Sequence, residues 1–114
     1  MSQFSLHKSE RLTKRPQFEK VMAKGRRKRI DTICTLFMFP NGLDRKRLGI
    51  IASRKIGNAV IRNRAKRKIR EAFRRIKDHI YPAMDIVVIS GKDLAPLSVC
   101  TLEEKLSKPL LNQQ

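Results

Sequence analysis

Between residues 59 and about 80, Ile61, Ala65, Ile69, Ala72, Phe73, Ile76 and Ile80 fall at helical spacing on one apolar stripe. Much of the remainder is cationic. RNRAKRKIREAFRR, residues 62–75, carries eight Arg or Lys against a single Glu. No other feature constrains the fold as strongly. The stripe must be buried against a second layer, while the cations keep the opposite face in water. Gly57-Asn58 breaks the pattern ahead of the helix, with Asn58 as its N-cap, and Tyr81-Pro82 ends it.

Like charges one turn apart repel, and ordinary solvated helix faces mix signs. Arg62 and Arg64 also lie in the first turns, where the helix dipole favours anions. Free amides and guanidinium groups converge there on a place for an external phosphate. Arginine at both positions suits forked contacts. Asn63 between them adds a neutral donor and acceptor for a base edge, a ribose hydroxyl or a phosphate. The whole chain agrees: 114 residues carry a formal net charge of +17, with a pI near 11.0. Residues 1–77 hold 24 of the 27 Lys and Arg but 5 of the 10 acids, whereas residues 78–114 hold 3 basic and 5 acidic groups. That split marks a working face for a polyanion rather than charge spread for solubility.

The length fits one RNA-binding domain, residues 1–114, opening with a basic, partly mobile arm over residues 1–14. A short helix follows, with Pro16 in its first turn, a Phe18, Val21, Met22 stripe and Gly25 as its stop. RRKRI, 26–30, is a basic link or a short strand. TICTLFMF, 32–39, reads as a strand, PNGLD as a turn and RLGIIAS, 47–53, as a second strand, so the two are expected to form a hairpin. DIVVIS, 85–90, is a third, buried strand and GKDLAP a loop. Ser98 or Thr101 caps a last helix, which Pro109 is expected to halt. The fold class is α+β: a small, mostly antiparallel sheet with a long basic helix and helices near both ends.

Cys34 and Cys100 each lie in an apolar stretch, which favours buried, reduced thiols. There is no secretory signal and no stretch of membrane-spanning length, so a soluble, cytoplasmic protein without a membrane partner is expected. His7 and His79 have no pairing pattern, and Asp44, Asp78, Asp85 and Asp93 stand in or beside turns, where Asp serves the backbone. No cluster of metal-ligand spacing occurs. RNA is favoured over sequence-read DNA, because zinc-finger and zipper spacings are absent and the strand–loop–helix of 47–80 differs from a helix-turn-helix. Among the few aromatics, Phe73 is core, Phe37 and Phe39 share a strand face and are equally compatible with the core, and Phe18 leans towards core on spacing alone.

The run ASRKIGNAVIRNRAKRKIREAFRR, 52–75, resembles the signature of the bacterial ribonuclease P protein subunit. Ser53, Arg54, Lys55, Gly57, Asn58, Ala59, Val60, Arg62, Asn63, Arg64, Lys66, Arg67, Arg70 and Glu71 occupy the family's positions. Arg11-Leu12, Phe18, Gly25, RLGI and DIVVIS extend the match over residues 11–106. The resemblance implies a fold like the second domain of ribosomal protein S5, with a left-handed β-α-β crossover through the basic helix, against the general rule. It also implies a subunit that joins a catalytic RNA to remove 5′ leaders from precursor tRNA, with no small-molecule substrate. The active site would belong to the RNA, and Mg²⁺, bound mainly by that RNA, would activate water. By the same resemblance Arg62, Asn63, Arg64, Lys66, Arg67 and Arg70 become contacts to the catalytic RNA, and Phe18, Met22, Phe37, Arg54 and Lys55 form the leader cleft. Met22 stands where the family has a second aromatic, and Leu36 or Phe37 where it has another. The alternatives are a general or ribosomal-type RNA-binding protein, which would gain nothing from a leader, and a protein-only nuclease, which would need no RNA partner.

Overall fold

The computed structural model describes residues 10–43 and 45–111; Phe4, His7 and Asp44 lie outside them. In chain order the elements are α1 (Arg15–Lys24), β1 (Arg26–Ile30), β2 (Cys34–Pro40), β3 (Arg47–Ile51), α2 (Ala59–Ile76), β4 (Met84–Ser90) and α3 (Val99–Leu111). Single 3-10 turns, Arg54–Ile56 and Lys77–His79, flank α2. The result is α+β, a four-stranded mixed sheet with three helices.

β2 and β3 do not form the expected hairpin. The sheet order is β1-β2-β4-β3, with β4 antiparallel to β2 and parallel to β3. Burial explains the insertion. β4 is buried at every position except the half-exposed Ile89, and a strand apolar on both faces belongs in the middle of a sheet covered on both sides. The hairpin that does form joins β1 to β2 over a tight turn at Asp31 (φ 44°), so RRKRI is an edge strand.

One face of the sheet carries Leu36, Met38, Leu48, Ile86 and Val88 and packs against α2 and α3. Ala65, Ile69, Ala72, Phe73 and Ile76 of the α2 stripe are buried there, with Ile80 just beyond the helix and Ile61 at its rim. Truncating the fully buried Phe73 would cost about 3–5 kcal/mol, so α2 is a rigid mount for its outer face. Asn58 caps the helix as expected, its Oδ1 accepting the Ile61 N–H at 3.1 Å. Among the described residues the other face is crossed by α1 alone, whose Val21 is buried with Leu12 and Val87.

Gly25 ends α1 through space rather than backbone freedom. Its φ is −78°, but a Cβ there would lie 2.4 Å from the Val21 carbonyl and 2.9 Å from that of Met38. Upstream, residues 10–14 are tied down instead of forming part of an arm. Glu10 pairs with Lys77 at 2.7 Å, and the Leu12 N–H donates to Leu48. The rest of the expected arm lies outside the described residues.

At α3 one of the two expected caps is chosen, and the expected stop at Pro109 is overturned. The cap is Ser98, whose Oγ accepts the Thr101 N–H at 3.1 Å. Pro109 falls inside the last turn without halting it, because it removes one terminal N–H bond while the buried Leu110 holds that turn down. Cys34 is buried, its thiol pushed up to about 12 by desolvation, and therefore unreactive. Cys100 is exposed, since Leu102 takes the inward position of the first turn.

Candidate nucleic-acid interface

The cations of α2 sort into two kinds once their partners are known. Lys68 donates to the carbonyls of Ala95 and Leu97, 2.6 Å each, and staples the 91–97 loop to the helix. Arg75 pairs with Glu71 and Glu103. By contrast, among the described residues the side chains of Arg62, Asn63, Arg64, Lys66, Arg67 and Arg70 have no hydrogen-bond or ion-pair partner. The Nε of Arg62 is buried as well as unpaired, an arrangement that costs free energy until an acceptor is supplied.

Residues 62, 66 and 70 recur every four positions and form one ridge of the helix. The lower part of that ridge borders a groove at the β3 edge, lined by Lys66, Arg70, Arg11 and Phe18 over Leu48 and Ile50. Arg70 has its pKa pushed down, first by burial and then by the neighbouring charge of Arg11. Two guanidinium groups held together without an acid between them form an acceptor-seeking pair. Phe18 reaches the same groove from α1 and rests on β3, where Gly49 leaves room for it: a Cβ at residue 49 would lie 2.5 Å from the ring. The structure thus joins residues assigned from the sequence to two separate surfaces.

From Phe18 the surface continues onto the α1 side of the sheet. Met22, Phe37, Phe39, Ile51 and Ile89 are partly buried around Val87 there. Leu36 is fully buried on the opposite face, so of that pair only Phe37 lies on the α1 side. Phe39, set aside as possible core, is also on this side, with the Lys20 ammonium 5.6 Å from its ring centroid. Arg54 and Lys55 are exposed on the turn beyond the end of β3, and no contact brings them to Phe18.

Asp85, attributed to turn chemistry from its position, is buried in β4 on this face. It accepts from Arg47 Nε and Nη2 at 2.8 and 2.7 Å and from Asn41 Nδ2 at 2.8 Å. Burial alone would raise its pKa. The hydrogen bonds from Arg47 and Asn41 and the charges of Arg47 and Lys20 outweigh it and hold the carboxyl below its ordinary value. The clamp fixes the start of β3 against β4 and holds Asn41, whose Nδ2 also donates to the Arg45 carbonyl.

Among the described residues no three His, Cys, Asp or Glu side chains gather as a metal site. Glu10, Glu71, Glu103 and Asp85 are each engaged by Lys or Arg. The sequence reading did not single out Arg11, which lines the groove with Arg70 and Phe18, or Arg27 and Arg29, whose register with Phe37 and Thr35 turns them to the α1 side of the sheet. A run such as RRKRI carries no polar–apolar alternation from which its two faces can be told apart.

A family model described as Ribonuclease P matches residues 6–113 of this chain. The ribonuclease P protein component of Thermotoga maritima is 41% identical over 106 residues, covering 90% of either chain. That of Syntrophus aciditrophicus is 43% identical over 90 residues, 79% of this chain and 75% of its own. Among solved structures, the RNase P protein from Thermotoga maritima superposes with a TM-score of 0.80 at 37% identity, covering 92% of this chain and 98% of the other. The Staphylococcus aureus RNase P protein gives 0.77 at 34% identity, covering 91% and 94%.

Proposed function

This chain belongs to the ribonuclease P protein family, and we propose that α2 docks on a catalytic RNA while the α1 face of the sheet holds the 5′ leader of a precursor tRNA. As a ribonuclease P protein component it is an RNA-binding subunit with a role in tRNA 5′ processing. Within that role Arg62, Asn63, Arg64, Lys66, Arg67 and Arg70 take phosphates and sugar edges of the RNA subunit. Phe18, Met22 and Phe37, rimmed by Arg54 and Lys55, take the single-stranded leader, where bases stack on aromatic and thioether surfaces. The observation that carries this reading is the groove in which Lys66 and Arg70 meet Phe18. One RNA-bound helix and one substrate cleft share a wall there.

In this proposal the phosphodiester is cut in the RNA subunit, and the protein's part is to bind and orient. The described carboxylates do not fit a magnesium site of the chain's own, because no three of them gather and Glu10, Glu19, Glu71, Asp85 and Glu103 are held by Lys or Arg. Mg²⁺ is assigned to phosphates of the RNA partner, and no step is routed through this chain. No helix among the described residues is long and apolar enough to cross a membrane, and a cytoplasmic location accords with an RNA partner and precursor tRNA substrate.

Reconstitution with a bacterial ribonuclease P RNA tests the reading. Arg62→Ala with Arg64→Ala is expected to flatten log K against log[salt] for that RNA by about 0.7–0.9 per lost phosphate contact. Phe18→Ala is expected to weaken leader-bearing precursor more than mature tRNA. An unchanged slope together with equal losses on both tRNAs would leave only a general RNA-binding protein. Cleavage by RNA-free protein would instead make it a nuclease in its own right.

A further inference from the structure

The proposed leader cleft accounts for the middle of the open face but not for its far edge. β1 presents four consecutive cations, all exposed. Strand alternation divides them between the two sides of the sheet. Arg27 pairs in register with Phe37, and Arg29 with Thr35, so these two side chains emerge on the same side as the aromatic floor. Arg26 and Lys28, opposite Met38 and Leu36, emerge on the α3 side. Arg27 and Arg29 line a shallow groove with Thr35, Ile89 and Lys92. The Arg29 Nε donates to the Asp31 carbonyl at 3.2 Å, which fixes the guanidinium, while its terminal nitrogens have no partner among the described residues. Asp31 is at the turn end of this rim, and Asp93 beyond it is engaged by the Thr32 hydroxyl.

We propose that Arg27 and Arg29 form a second phosphate-binding rim, which takes leader nucleotides lying farther from the cleavage point than those on Phe18. The inference rests on the leader-cleft reading above. A strand laid over Phe18 and Phe37 that continues across β2 meets β1 next, where Arg27, Arg29 and Lys92 stand around Thr35 and Ile89, with Asp31 at one end. That is the pattern of a site that tracks the backbone of single-stranded RNA without reading its sequence. Side chains two apart along β1 stand about 6.6 Å from each other, which matches consecutive phosphates of an extended strand. Arg at both positions offers forked contacts with phosphate oxygens.

The test uses holoenzyme reconstituted from the full chain and its RNA, with precursors whose leaders are shortened one nucleotide at a time. Wild type is expected to gain affinity in two stages as the leader lengthens. Arg27→Gln with Arg29→Gln should abolish the second stage, a loss of about tenfold on the longest leader, and lower the salt slope there by about 1.4. It should leave the first stage intact. Lys28→Gln, on the other side of the same strand, should leave both stages unchanged and serves as the control for fold and for the loss of a charge from β1. An unaltered second stage in the double variant, a uniform loss at every length, or an equal effect from Lys28→Gln would overturn the proposal. If wild type itself prefers no leader at all, the cleft reading fails with it. If wild type shows the first stage alone, only the β1 rim is lost.

Discussion

At the scale of single residues, two positions decide whether the open face keeps its shape. Gly49 is the seat of Phe18, and Gly49→Ala sets a methyl within 2.5 Å of the ring. The ring must move, so the variant is expected to lose preference for leader-bearing precursor over mature tRNA. It should lose about 1–3 kcal/mol of stability in urea titrations; retention of full leader preference would show that the ring is not a contact. Asp85 is the second position. With its pKa held below the ordinary 3.8, the carboxylate stabilises the fold fully above that value. The contribution is lost as pH falls through the unfolded value towards the depressed folded one. Asp85→Asn, which leaves Arg47 facing a neutral amide, is expected to cost about 2–4 kcal/mol at pH 7. Its unfolding midpoint should also be less acid-sensitive below about pH 4 than that of wild type. Parallel acid profiles for the two proteins would remove Asp85 as the cause.

Among the elements, α2 separates charge that builds the protein from charge offered outward, and two neighbouring lysines show the division. Lys68→Met removes two bonds to the 91–97 loop and is expected to cost about 1–3 kcal/mol while leaving the salt slope of RNA binding untouched. Lys66→Met should do the reverse, reducing the slope by about 0.7–0.9 with stability within about 0.5 kcal/mol of wild type. Urea unfolding and salt titration of both variants would expose any mixture of the two roles. The same helix explains how far sequence could be read. Its stripe and its Asn58 cap are local patterns, and both hold in the structure. Strand order is not local: RLGII follows TICTLFMF by a short turn, yet β4 parts them because MDIVVIS buries both faces. The cationic rim on β1 was hidden for a related reason. Which side Arg27 faces is fixed by its register with Phe37, a partner ten residues on, and not by its neighbours. Arg11 became part of the surface only when the chain before α1 lay down beside Leu48.

For the molecule as a whole, the uneven charge gives salt two opposite effects. A formal charge of +17 repels itself in the compact state, and screening relieves that repulsion. Screening also weakens the release of counterions that drives RNA binding. Raising salt from about 0.05 to 0.5 M, across a range where the Debye length falls severalfold, is therefore expected to raise the urea midpoint of the free protein while loosening its complex with RNA. A midpoint that falls with salt would mean that the internal pairs of Glu10, Glu71, Asp85 and Glu103 outweigh the repulsion. The insertion of β4 between β2 and β3 has a consequence during synthesis. Nearly all of the cations, 24 of 27 within residues 1–77, are translated before the strand that organises the sheet. The nascent chain is then a shapeless polycation beside a large mass of ribosomal RNA. Its release from those phosphates and the arrival of residues 84–90 are steps of one and the same maturation.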